Sequence, residues 1–327
     1  MFSVYASAFI AFLGPPEYLE GEEKNHYWPT SESMTSPPKW ITFPSTVAFR
    51  PFEADVLHAA VFSKNASAIS DVERIAKVIQ ACKAIAIRSC REYEGDYLDV
   101  AEKVTRKTII PVGLLPPVRA EMKRDSSEGE IFSWLDMQLS KSVVYVGFGS
   151  EVKMSRDQVF EIAHGLELAN LPFLWALRKP MWAIHDDDAL PTGFRSRTAK
   201  LGMVILGWAP QLDILAHPSI GGSLFHSGWG SIIETLQHGH TLVVLPLVLD
   251  QGMNARLLVE KGLAVEVDRS DDGKFNGEDI AKALRKALVS EEGETLRLRA
   301  RDMKSIFSDQ NLHYDHYMSG FINYLRA

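Results

Sequence analysis

The stretch Ile220–Leu247, IGGSLFHSGWGSIIETLQHGHTLVVLPL, decides the fold. A run of strand character, IGGSLF (220–225), enters a glycine-rich turn at His226–Ser231. A helical pattern continues from Ser231 to about His238, and a second apolar run, TLVVLPL, fills 241–247. Strand, turn, helix and strand in so short a span make a βαβ unit, whose two strands lie parallel. The same alternation extends upstream through SVVYVGFG (142–149), a helix from about Ser155 to Ala169, PFLWAL (172–177) and GMVILG (202–207). Downstream it continues in a helix from about Gln251 to Lys261 and in LAVEV (263–267). These strands are apolar throughout rather than at every second residue, which predicts a parallel sheet covered by helices on both faces. Gly277–Ala327 reads as two or three helices with Lys, Arg and Glu outside.

Before Ser142 the pattern is less regular. The apolar opening Met1–Gly14 reads as a buried strand or helix rather than a signal peptide, because no positive charge precedes it. Helices are expected over about Glu53–Phe62 and Tyr93–Lys103, and strands at AIAIRS (84–89) and TIIPVG (108–113). Leu114–Glu130, LLPPVRAEMKRDSSEGE, has the composition of a linker. The expected fold class is therefore α/β: a partial N-terminal α/β domain over 1–125 and a complete doubly wound parallel-sheet domain over 126–327. The final helices, 309–327, are candidates to pack back on the N-terminal part.

With 46% hydrophobic and 24% charged residues in 327, the chain is globular, and its net charge of −7 has the wrong sign for a nucleic-acid binder. Two cysteines, Cys82 and Cys90, supply neither a disulfide framework nor a zinc site. A reducing, cytoplasmic location is expected, with no integral membrane segment. The sequon Asn65-Ala66-Ser67 is read as an accident of composition.

The densest polar cluster lies within Trp208–Gln251. A helix start presents backbone N–H groups and the positive end of its dipole, and glycines let a diphosphate approach the chain, so the turn at His226–Ser231 is a candidate anion site. Competing motifs fail on spacing. Gly147-x-Gly149 is followed by Val152 and Gly228-x-Gly230 by Ile233, where a dinucleotide fingerprint needs glycine. Gly221-x-Ser223 is followed by Phe225, which breaks a nucleophile elbow, and no Lys-Ser/Thr pair completes a P-loop.

Trp208–Gln251 resembles the 44-residue signature box of plant secondary-product UDP-glycosyltransferases, inverting enzymes of the GT-B fold. The matching anchors are Trp208-Ala209-Pro210-Gln211, His217, Phe225-His226, Gly228-Trp229, Ser231, Glu234, Gly239, Pro246 and Asp250-Gln251. The flanks match as well, so the likeness covers essentially the whole chain. It implies that Trp208 stacks on uracil, with Ala209 and Gln211 at that end of the nucleotide. His226 and the backbone at Gly230 and Ser231 then meet the diphosphate, beside Ser150, and Glu234 accepts the ribose hydroxyls. Asp250 and Gln251, with Trp229 nearby, face the transferred sugar, with glucose favoured. UDP-sugar is a co-substrate in this family, and neither a cofactor nor a metal is expected.

Simpler readings stand beside these. Ser231-x-x-Glu234 is also a capping box, Trp208 and Trp229 fit core aromatics, and Asp250 fits a cap for the helix after it. Two departures matter. Gly230 replaces the family's asparagine, predicting weaker diphosphate binding, and Thr241 stands where proline is usual. The S-G-W-G run at 227–230 and the early run Phe9–Glu17, FIAFLGPPE, resemble a subgroup that adds a sugar to a sugar already on a flavonoid or terpenoid. The family's catalytic histidine and its aspartate have no counterpart here, so Met1 is expected to fall inside the N-terminal domain and no catalytic base is assigned. His26, His58 and His185, the last beside Asp186–Asp188, are read as structural or solvated. The alternative is a nucleotide-sugar-binding protein without turnover. A nicotinamide-dependent oxidoreductase is disfavoured by the incomplete fingerprints.

Overall fold

The computed structural model describes residues 1–3, 5–16, 27–118 and 126–327 and divides the chain into two compact units. The first comprises 1–116, 248–260 and 306–327, and the second 117–247 and 261–305. The boundary expected near residue 125, the histidine at 26 and the end of the early run at 17 lie outside the described residues.

In the first unit, β1 (Phe2–Ser3), β2 (Ala84–Ile87) and β3 (Thr108–Pro111) form a parallel sheet in that order. The opening segment is helical beyond β1, with α1 (Ser7–Phe12) burying Ala8, Phe9, Ile10 and Ala11. Pro51 begins α2 (Pro51–Phe62), where its fixed φ suits a helix start. The sequence reading passed over α3 (Asp71–Ala81), although Ser70 caps it by accepting from Glu73 N and Val72, Ala76 and Ile79 form its buried face. Inside α4 (Arg91–Thr105), Glu94 leaves helical geometry, at φ −122° and ψ 28°, and turns its carboxylate inward.

The second unit follows the predicted alternation. It runs through α5 (Ser126–Asp136), β4 (Val143–Gly147), α6 (Arg156–Ala169), β5 (Phe173–Leu177), α7 (Phe194–Thr198) and β6 (Gly202–Leu206). It continues with α8 (Gln211–Leu215), β7 (Ile220–Phe225), α9 (Trp229–Leu236) and β8 (Thr241–Val244). After α10 (Gln251–Glu260), which belongs to the first unit, come β9 (Ala264–Glu266), α11 (Gly277–Leu288) and α12 (Glu294–Phe307). The six strands are all parallel in the order β6-β5-β4-β7-β8-β9. The chain thus starts mid-sheet, builds outward to β6, then returns to β7 and builds the other way, which is a doubly wound sheet. Both faces are buried: Val144, Val146 and Trp175 join α6 and α11 on one side, and Val143, Tyr145 and Leu174 join α5 and α8 on the other.

Two boundaries differ from expectation. The stretch read as a linker to Glu130 already contains the start of α5, whose Ile131, Phe132 and Leu135 are core residues. Helix α9 begins at Trp229 rather than Ser231, because Ser227 takes a left-handed φ of 60° and extended Gly228 becomes the residue before the helix.

In the first unit, α10 is tied down by Arg256, which pairs with Glu53 and donates through Nε to Ala48 O at 3.1 Å. Residues 306–327 end the chain in that unit, through a π-helical stretch Asn311–Met318 and α13 (Ser319–Arg326). Phe307 meets Tyr93 edge-on at 5.0 Å. Tyr317 Oη accepts from Arg91 N at 2.9 Å and donates to Glu92 at 2.8 Å.

Candidate functional site

The order of the sheet reverses between β4 and β7, and open α/β sheets leave a crevice at the carboxyl ends of such strands. There the loop Phe148–Ser150 after β4 meets the turn after β7. The half-buried imidazole of His226 lies across Gly149 and Gly228. A Cβ at Gly149, whose φ is +67°, would fall 3.0 Å from His226 Cε1, and one at Gly228 would fall 2.6 Å from Nε2. The glycines make the slot for the ring. Ser150 is exposed, and its carbonyl accepts from Arg178 Nη1 at 3.0 Å. A cavity of about 310 Å³ opens beyond the carboxyl ends of β4 and β5, walled by Phe148, Met154 and Trp182 and edged by Lys153, Arg178 and Lys179.

Helix α9 starts beside His226 with Gly228 before its first turn and no side chain capping it. Gly230 and Ser231 occupy that first turn, and a Cβ on Gly230 would meet nothing within 4 Å. The capping-box reading of Ser231 and Glu234 is thereby corrected: Ser231 is the third helical residue, too far in to cap. Glu234 instead accepts from Gln211 Nε2, and Gln211 Oε1 accepts from Tyr145 Oη at 2.9 Å. These three side chains come from α9, α8 and β4. Tyr145 is 4% exposed, and burial, with the Glu234 charge second, pushes its phenol well above its ordinary value, so it stays a donor.

The two tryptophans separate cleanly. Trp208 is 71% exposed, which overturns its reading as a core aromatic, whereas Trp229 is 3% exposed and packs inside. Ala209 lies partly buried against the α5–α8 side of the core. His217 Nδ1 bonds Ser219 Oγ at 2.8 Å and its Nε2 bonds Asp136 at 3.0 Å, a brace at the opposite ends of the strands.

The second unit thus brings together Ser150, His226, Gly230, Ser231, Gln211 and Glu234. Asp250 and Gln251 lie in the first unit, at the start of α10. Asp250 Oδ2 accepts from Asn254 Nδ2 at 2.8 Å, and its carboxylate also accepts from the Tyr5 hydroxyl. Gln251 is buried, and its Oε1 accepts from Val248 N at 3.0 Å. His58 bonds Trp28 O at 3.0 Å and stacks on Phe62, while His185 sits in an exposed turn whose Asp186 pairs with Lys179. The sequence reading missed Tyr145. Its tyrosine in a run of valines was a signal, but nothing local connects it to Gln211.

Among the described residues no group of three His, Cys, Asp or Glu side chains could hold a metal ion, and no helix is long and apolar enough to cross a membrane.

Residues 118–312 match the family model described as UDP-glucoronosyl and UDP-glucosyl transferase. The chain is 39% identical over 329 residues to UDP-glycosyltransferase 91A1 of Arabidopsis thaliana, covering 99% of this chain and 68% of that protein. It is 43% identical over 300 residues to soyasaponin III rhamnosyltransferase of Glycine max, covering 90% of this chain and 62% of that protein. Among solved structures, Phytolacca americana UGT2 complexed with UDP-2fluoro-glucose and pterostilbene superposes with a TM-score of 0.69 at 29% identity. That match covers 79% of this chain and 57% of that one. The chain therefore spans between 57% and 68% of the length of these proteins, shares their GT-B fold, and belongs to the UDP-glucoronosyl and UDP-glucosyl transferase family.

Proposed function

We propose that this chain binds a UDP-sugar, UDP-glucose by preference, and serves transfer of the sugar to a hydroxyl of a small plant metabolite or its glycoside. Flavonoid and terpenoid glycosides are the acceptor classes in view. The reaction is metal-independent and cytoplasmic in this reading. The exposed Trp208 offers a face for uracil, with Ala209 beside it. Gln211 and Glu234 take the ribose, and His226, Ser150 and the first-turn N–H groups at Gly230 and Ser231 take the diphosphate. Asp250 and Gln251 take the sugar hydroxyls.

The observation that carries the reading is the meeting of His226 with the Gly149 loop where the strand order reverses, at the uncapped start of α9. Inverting transfer needs a leaving diphosphate to be stabilised, and this is where such charge is best met. Titration of the chain with UDP and UDP-glucose tests it, with Glu234→Ala as control. Saturable binding that the substitution weakens supports the reading, and no binding by a folded chain overturns it. A second reading, binding without turnover, draws on the commitment of His58 to a backbone carbonyl and of His185 to a surface turn. A turnover assay on a chain shown to bind UDP-glucose separates the two.

A further inference from the structure

Tyr145 lies on β4 among three valines and Gly147, and points its hydroxyl at a polar group rather than into the core. Its ring crosses the strand at Gly147: a Cβ there would sit 2.9 Å from Tyr145 Oη and 3.0 Å from Cε1. Glycine at 147 is thus the notch that lets the phenol lie flat and reach Gln211.

Each group in the resulting relay has one orientation. The phenol donates to Gln211 Oε1, which leaves the Gln211 amide N–H to donate to Glu234. A carboxylate held on one oxygen keeps its remaining lone pairs aimed in a fixed direction, so a ligand does not have to immobilise it on binding. We propose that Tyr145 is a positioning residue which, through Gln211, aims Glu234 at the 2′-hydroxyl of a ribonucleoside diphosphate, and that Gly147 is present to admit it. This rests on the donor-site reading above and adds a source of discrimination for ribose over deoxyribose. Burial and the neighbouring Glu234 charge keep the phenol protonated, so the relay stays intact through the physiological pH range.

The test compares UDP with 2′-deoxy-UDP on the full chain by calorimetry. Tyr145→Phe removes one oxygen and is expected to raise the Kd for UDP about 3- to 10-fold. The Kd for 2′-deoxy-UDP should move by less than about twofold, so the preference for ribose shrinks. Gly147→Ala, which displaces the ring without removing its hydroxyl, should reproduce the pattern. Gln211→Ala combined with Tyr145→Phe should cost no more than Gln211→Ala alone. A purely structural tyrosine would weaken both ligands together, and that result, or an unchanged preference for UDP, overturns the inference while leaving the donor site standing. A folded wild-type chain that takes up no UDP overturns both.

Discussion

Helices α1 and α9 face the same electrostatic problem and resolve it in opposite ways. In the first unit the start of α1 is met from within. Glu94 accepts from Ala6 N at 3.2 Å and Ser7 N at 2.7 Å, while Ser89 Oγ donates to the same carboxylate at 2.5 Å. In the second unit α9 begins after a glycine, no side chain caps it, and open space surrounds Gly230. An internal carboxylate makes a helix start part of the core, whereas a glycine start leaves its N–H groups and dipole for an anion from outside. The kink at Glu94 belongs to this contrast, because the residue leaves the α4 spiral where its carboxylate meets the start of α1.

The largest effect should come from removing the internal cap. Glu94→Ala strands two backbone donors and a serine hydroxyl in the buried interior, at a cost of about 3–5 kcal/mol by denaturant unfolding. UDP affinity of the chain that remains folded should not change. A loss below about 1 kcal/mol would show that α1 does not depend on its carboxylate.

Acid should act on both units through their buried histidines. His240 in the second unit is buried, and burial, reinforced by His238 and Lys141, lowers it to about 3. The unfolded chain therefore binds a proton that the folded unit refuses. Stability is full above about pH 6.5 and is lost as pH falls, by roughly 2 kcal/mol at pH 5. His313 in the first unit is lowered as well, chiefly by burial; its Nδ1 accepts from Leu114 N at 3.1 Å and its Nε2 donates to Ile306 O at 2.8 Å. Unfolding monitored from pH 7 to 4 in His240→Phe and in the parent chain assigns the dependence, and a parent insensitive to pH would count against both burials.

At the ligand-facing helix the expected effects are on binding. Glu234→Ala should weaken UDP by about 10- to 30-fold, near 1.4–2 kcal/mol, with little change in thermal stability. A fall in stability of the same size would make Glu234 a structural group like Glu94. The smallest effect is a gain. Gly230→Asn places an amide in open space on the first turn and should tighten UDP about 3- to 5-fold, or 0.6–1 kcal/mol, in the same titration. Gly230→Ala should leave affinity unchanged, since it adds a side chain without a donor.

Much of the second unit was legible because its strands are buried on both faces and so read as unbroken apolar runs between helical patterns. β4 to β7 follow those runs closely. The first unit was harder. Its β1 has only two residues, and α3 sits in a polar stretch where the signal was the Ser70 to Glu73 cap and the spacing of Val72, Ala76 and Ile79. Of the site, the residue types and the glycine-rich turn could be read directly. The capping box at 231–234 could not be distinguished from its alternative, since the helix start depends on the left-handed turn at Ser227.

By itself the sequence determined the strands of the second unit, several of its longer helices and where glycines let the backbone be approached closely, because burial periodicity and turn chemistry are set by near neighbours in the chain. Only the tertiary structure decided that β4 lies beside β7, that Trp208 stands in solvent while Trp229 is enclosed, and that Glu234 is held through Gln211 by Tyr145. Those depend on packing between residues far apart in the chain, where a notch such as Gly147 decides which hydroxyl reaches which amide.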